Sequence, residues 1–384
     1  MCVIVEMRII RKLIIIFSIL VAVFSVQLTA LAASYGIEDL YEEADFSEID
    51  EYLSTEATEL EFSFSEYLEQ VIYGEEEFSI VGIFKSLVQS ALSSMDNERK
   101  HFSSILLITA LTSLITPLAG MSKSRQTTEM SFYVSYMLLI GMLAELYSDI
   151  YQMAENILSK LLDFCEILIP AYMMGIAFST GTATATSMYG ISIYIMSLAE
   201  GVILKFLFPM INIYLCIVIA NHVTKNSMFT KMTELLSSFV KWTNKTMLVA
   251  VAGMSTVQGL VSPGIDELKR DLTTKSIGTI PIVGSAISGA SEIVLGAGMV
   301  LKNIIGAAGV IAILILCATP LFKIWLSQLL LKLSAAVMEP VSDKRLTLIL
   351  DDTSKAVMLL FETALTSAFI FIVMLVILAA GTGL

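Results

Sequence analysis

The C-terminal two-thirds of the chain alternates long apolar runs with short amphipathic stretches, and the order of these blocks repeats. Ile169-Pro170 recurs as Ile280-Pro281, Pro209 as Pro320 and Met247-Leu248 as Met358-Leu359, each at an offset of 111 residues. Apolar runs at 188–205 and 206–223 are matched by runs at 299–316 and 317–334. A charged amphipathic connector follows each pair, at 225–245 and 339–355, and each unit closes on one more apolar run, 246–261 and 356–380. Self-similarity at a fixed offset is the mark of a duplicated unit. The pattern therefore predicts membrane repeat 1 over 166–276 and repeat 2 over 277–384.

Each unit opens on an apolar segment of a different kind. Residues 167–179 are too few for an easy crossing, which needs about 20 apolar residues, and they run into a Gly/Thr tract at 179–186. Their counterpart, 277–298, is interrupted by Pro281, Gly284, Gly289, Gly296 and Gly298. Such segments in matching halves predict a broken or re-entrant helix lining a path; small residues equally favour close helix–helix contact. Upstream, residues 78–165 read as an amphipathic helix at 78–95, spans at 101–121 and 130–150, and an amphipathic connector at 149–163.

Residues 1–32 have the form of a secretory signal: Arg8, Arg11 and Lys12, then an apolar core, then Ala30-Leu31-Ala32. The alternative is an uncleaved first span; in both cases the basic residues hold the start in the cytoplasm and residues 33–77 are exported. Between Tyr35 and Glu77 every charged residue is acidic, yet aromatic and aliphatic residues are frequent, which predicts short acidic helices rather than pure disorder. Asp and Glu outnumber Lys and Arg 36 to 23 only because of this segment; the remainder is slightly basic.

Hydrophobic residues make up 56% of the 384 and charged residues 15%, which defines the fold class as an all-α polytopic integral membrane protein of about seven spans. No basic patch with interleaved aromatics supports nucleic-acid binding. Cys165, Cys216 and Cys317 sit singly in or beside apolar runs, and His101 and His222 at the ends of such runs, so no disulfide framework, metal set or cofactor is expected. HExxH, phosphate-loop and GxSxG motifs are missing, and an enzyme is not expected.

Charge inside an apolar run is costly and marks functional candidates. Glu145, Glu200, Lys205, Glu292, Lys302 and Glu362 are of this kind. As linings of a path the set would centre on Glu292, Glu362, Glu200 and Lys205, with Pro170 and Pro281 marking the gating segments; as structural residues they would pair across helices or snorkel to the interface. Lys225, Lys231, Lys241 and Lys245 share the connector at 225–245 and predict docking of a cytoplasmic partner at the bilayer surface.

The signal, Thr116-Pro117-Leu118 at the end of its span, Glu166-Ile167-Leu168-Ile169-Pro170-Ala171-Tyr172, Ser276-Ile277-Gly278-Thr279-Ile280-Pro281-Ile282-Val283-Gly284, Pro320-Leu321-Phe322-Lys323 and Asp343-Lys344-Arg345 together resemble the AE family of stage III sporulation proteins of endospore-forming bacteria. The resemblance covers nearly all the chain after the signal and is weakest in the acidic segment. It implies a mother-cell membrane component, the base or export gate, of the channel complex joining mother cell and engulfed forespore. Implied partners are ring-forming single-span proteins and a cytoplasmic ATPase of the same operon, and a forespore channel protein. It brings no catalytic residues. A stand-alone secondary transporter built on the repeat, a structural anchor for channel rings, and assembly as a homo-oligomer are the other expectations.

Overall fold

The computed structural model describes residue 41 and residues 44–57, 62–73, 103, 107, 110, 125–223, 229–261, 283–340 and 344–380. Among these, all regular structure is helical. Two short helices, α1 (Ser47–Glu56) and α2 (Phe64–Tyr73), precede the long ones. These are α3 (Arg125–Thr180), α4 (Thr182–Val202), a π turn (Ile203–Leu207), α5 (Phe208–Val223), α6 (Thr230–Val261), α7 (Val283–Met338) and α8 (Lys344–Ala380). The signal, the amphipathic stretch 78–95, nearly all of the run 101–121, Lys225 and Pro281 lie outside the described residues, as does the side chain of Glu292.

The apolar run 130–150, the connector 149–163 and the segment 167–179 are one continuous helix, so 167–179 is neither broken nor set apart, and the unit boundary at 165/166 falls inside α3. Continuity follows from the buried positions. Leu139, Leu143, Leu146, Ile150, Ala154, Leu158, Leu161, Cys165, Leu168 and Tyr172 recur at three and four residues without interruption. Pro170 stands on the exposed side, where its missing N–H costs one helical bond to the equally exposed Glu166. The helix ends one residue before Gly181, whose φ of 117° turns the chain back. The runs 188–205 and 206–223 likewise join through the π turn, which widens the helix just before Pro209. Runs 299–316 and 317–334 are one helix through Pro320, and each connector continues into the apolar run after it.

Among the described residues, four helical stretches are long and apolar enough to cross a membrane: Tyr136–Ser179, Ala185–Val223, Gly296–Met338 and Lys344–Leu378. At 1.5 Å per residue the 56-residue helices are about 84 Å long, against a hydrocarbon layer of about 30 Å.

Helix α8 is the hub, packing on α7, α6, α3, α5 and α4. Chain direction follows from the contacts. Tyr147 donates to Asn212 (2.8 Å) and Tyr136 to the carbonyl of Ile219 (2.7 Å), so α5 runs antiparallel to α3. The faces of α3 and α7 meet from Gly175 against Lys302 to Leu168 against Gly309, again antiparallel. Helix α6 runs parallel to α8, with Lys241 beside Glu362 and Asn244 beside Thr363.

These contacts bring charges from several helices to mid-height. Glu155, Lys160, Asp163 and Glu166 on α3 lie near the level of Glu200, Lys205, Lys241, Lys323 and Glu362, with Phe206, Phe239, Trp242, Phe322 and Trp325 among them. Toward Gly181, residues 167–199, 246–261 and 363–380 carry no charged side chain, and α7 carries only Lys302 between Gly296 and Phe322.

Candidate functional site

Two polar constellations and one close-packed seam tie the apolar rods together. The first lies where α5 ends. His222 reaches across to α8, its Nε2 2.7 Å from Asp352 Oδ2, and Lys355 Nζ lies 2.7 Å from Asp352 and 2.9 Å from Asp351. His222 and Asp352 are 10% and 24% exposed, so the contact is largely shielded from water. In the sequence His222 stands only at the end of an apolar run, and the local signal of this cluster is the spacing of Asp351, Asp352 and Lys355, which puts the lysine on the same helix face as both carboxylates.

The second constellation joins α6 to α8. Asn244 donates to Thr363 at 2.9 Å, buried, and one turn before it Lys241 Nζ sits 3.6 Å from Glu362 Oε1. A residue expected to dock a cytoplasmic partner and one expected to line a path are thus each other's partners. Lys231 pairs with Glu234 on its own helix at 2.8 Å, while Lys245 is exposed.

The third is the close packing of α3 on α7. Gly298, Gly306 and Gly309 on α7 face Phe178, Tyr172 and Leu168, and a Cβ built at Gly298 would lie 2.8–2.9 Å from the side chain and backbone of Phe178 and the backbone of Ser179. Gly175 gives room to the backbone of Lys302, which is 1% exposed. Of the glycine-rich stretch 277–298, Gly298 makes such a small-residue helix contact, and Gly306 and Gly309 extend it beyond the stretch. Of the other candidates, Glu200 is half-buried near the end of α4, and Lys205 in the π turn and Glu145 on α3 are exposed.

The acidic segment is docked onto this bundle. Tyr52 of α1 donates to the carbonyl of Lys160 at 2.9 Å, its ring lies against Phe164, and Glu56 pairs with Lys160 at 2.7 Å. Burial, then the charges of Asp163 and Glu56, push the Tyr52 phenol up, which keeps it a donor. Asp50 holds α2 against α1 by accepting from the Ser63 hydroxyl and the amides of Phe64 and Ser65.

Among the described residues no group of three His, Cys, Asp or Glu side chains is placed to hold a metal ion. The rods and their internal polar clasps define a multi-span helical membrane protein whose polar groups join helix to helix. Within that class, the family model for stage III sporulation protein AE matches residues 62–382, and the chain belongs to that family. It is 24% identical over 318 residues to the stage III sporulation protein AE of Bacillus subtilis (strain 168), a match covering 82% of this chain and 79% of the relative. No solved structure matches it.

Proposed function

We propose that this chain acts in sporulation as the membrane base, or export gate, of a multiprotein channel between mother cell and forespore. Family membership across residues 62–382 is the observation that carries this reading. The architecture supports it: helices more than twice the bilayer thickness, and acidic helices docked at mid-height. In this reading the chain lies in the mother-cell membrane, α1 and α2 face the intermembrane space, and ring-forming single-span proteins, a cytoplasmic ATPase and a forespore channel protein assemble around it.

A stand-alone secondary transporter is the second reading. What favours it is the order of long helices: a Pro209-containing rod followed by α6, then a Pro320-containing rod followed by α8, with the prolines 111 residues apart. Reconstitution separates the two. Vesicles holding this protein alone should show no solute flux if it is a gate that needs its partners; substrate-specific flux from the single protein overturns that role. An anchor that only recruits rings would keep full function after Glu362→Gln.

A further inference from the structure

We propose that copies of this chain associate head to tail in the plane of the membrane, the acidic outer face of α3 in one copy meeting the lysine-bearing outer face of α6 in the next. This does not rest on the channel reading.

The first observation is that lipid cannot cover both apolar ends of the rods. A hydrocarbon layer spans about 20 residues of helix rise, whereas α3 is apolar at 130–144 and again at 167–179, with charges between. On its outer face Met137 and Leu138 are 70% and 57% exposed, and the exposed Glu145, Asp149 and Glu155 follow. With lipid at this end, exposed carboxylates at Glu145 and Asp149 would be costly. With lipid at the other end, Met137 and Leu138 would face water. A protein surface meets both conditions.

The second observation is what fits that face. Helix α6 turns Leu235 and Trp242 outward, 65% and 61% exposed, flanked by Lys231, Lys241 and Lys245. The side chain of Lys241 remains half exposed beside Glu362. Helix α5 lies between α3 and α6, bonded to α3 through Tyr136 and Tyr147 and packed on α6, so the two faces close opposite ends of one row.

The third is height. Tyr151 of α3 meets Phe208, and Phe206 meets Phe239 of α6, so Phe239 lies level with about Met153. Both helices run in the same direction, which sets Lys231 level with Glu145, Leu235 with Asp149 and Lys241 with Glu155. Neighbouring copies share the bilayer as their reference, so these pairs come into register without vertical shift. The two faces differ, which makes the contact heterologous and able to close into a ring. The lysine face read from the sequence as a dock for a cytoplasmic protein is assigned to a second copy.

The test is disulfide or bismaleimide cross-linking in native membranes, in a full-length Cys2→Ser, Cys216→Ser background; Cys165 and Cys317 are buried. A chain carrying both Asp149→Cys and Leu235→Cys should give a ladder beyond the dimer, and either cysteine alone should give monomer. Glu145→Lys with Glu155→Lys on the paired-cysteine chain should lose most of the ladder. Cross-linking should return between an Asp149→Cys chain carrying Glu145→Lys alone and a Leu235→Cys chain carrying Lys231→Glu, the pair that stands level. Dimers from a single cysteine would mean a two-fold contact, and no ladder from the pair would mean lipid or another protein covers these faces; either result overturns the proposal.

Discussion

Gly298 and Gly309 occupy the same face of α7 yet meet different neighbours, and the difference is measurable. A methyl at Gly298 meets backbone of Phe178 and Ser179 at 2.9 Å, which cannot yield without moving α3. At Gly309 the nearest obstacle is Leu168 Cδ2, the end of a side chain that can change rotamer. Gly298→Ala is therefore expected to cost about 1–3 kcal/mol as overpacking and to lower the melting midpoint of the detergent-solubilised protein, with Gly309→Ala lowering it less. Equal midpoints would contradict the packing described. His222 and Asp352 make a second residue-scale case: Asp352→Asn leaves a shielded His222 without its acceptor charge and Lys355 with Asp351 alone, for a loss of about 1–3 kcal/mol. Lys355→Gln, at a half-exposed group, should cost under about 1 kcal/mol. A larger loss for the lysine change in the same melting assay would reverse the roles assigned to them.

At the scale of elements, the docked acidic helices depend on two small groups. Asp50→Ala removes the acceptor for Ser63, Phe64 and Ser65 at the start of α2, and Tyr52→Phe removes the donor to Lys160. Each change should increase cleavage between residues 44 and 73 in limited proteolysis while α3 stays protected; unchanged cleavage would mean the apolar contacts of Phe46, Leu53 and Phe64 suffice. That these residues form short acidic helices was legible, because aromatics recur among the carboxylates. Apolar runs and amphipathic stretches were legible too, and where described they are helical apart from turns at Phe229 and Glu339-Pro340. Their continuity was not. A change from apolar to amphipathic pattern marks a change in what covers the helix, not its end, and the buried stripe from Leu139 to Tyr172 passes through both kinds. Pro170 misled for a related reason: a helix held on both sides by core contacts survives the loss of one bond, as α7 does at Pro320. The cross-helix partners His222–Asp352 and Lys241–Glu362, 130 and 121 positions apart, leave no local trace in the sequence.

For the whole molecule, mid-height is where charge and aromatic rings gather, the composition of a membrane–water boundary. Trp242 and Trp325, the two tryptophans of the chain, both lie there. Lipids brominated near the headgroup should quench their fluorescence more strongly than lipids brominated near the chain ends; the opposite order would put the belt inside the bilayer. Membership of a sporulation family leads us to propose that this membrane protein works within a multiprotein assembly. The most direct measurement is its purification from sporulating cells in mild detergent, with identification of what accompanies it. Ring-forming single-span proteins and an ATPase are expected to co-purify in stable amounts. Recovery of the protein folded and without those partners would contradict the channel-base account and leave the independent transporter in its place.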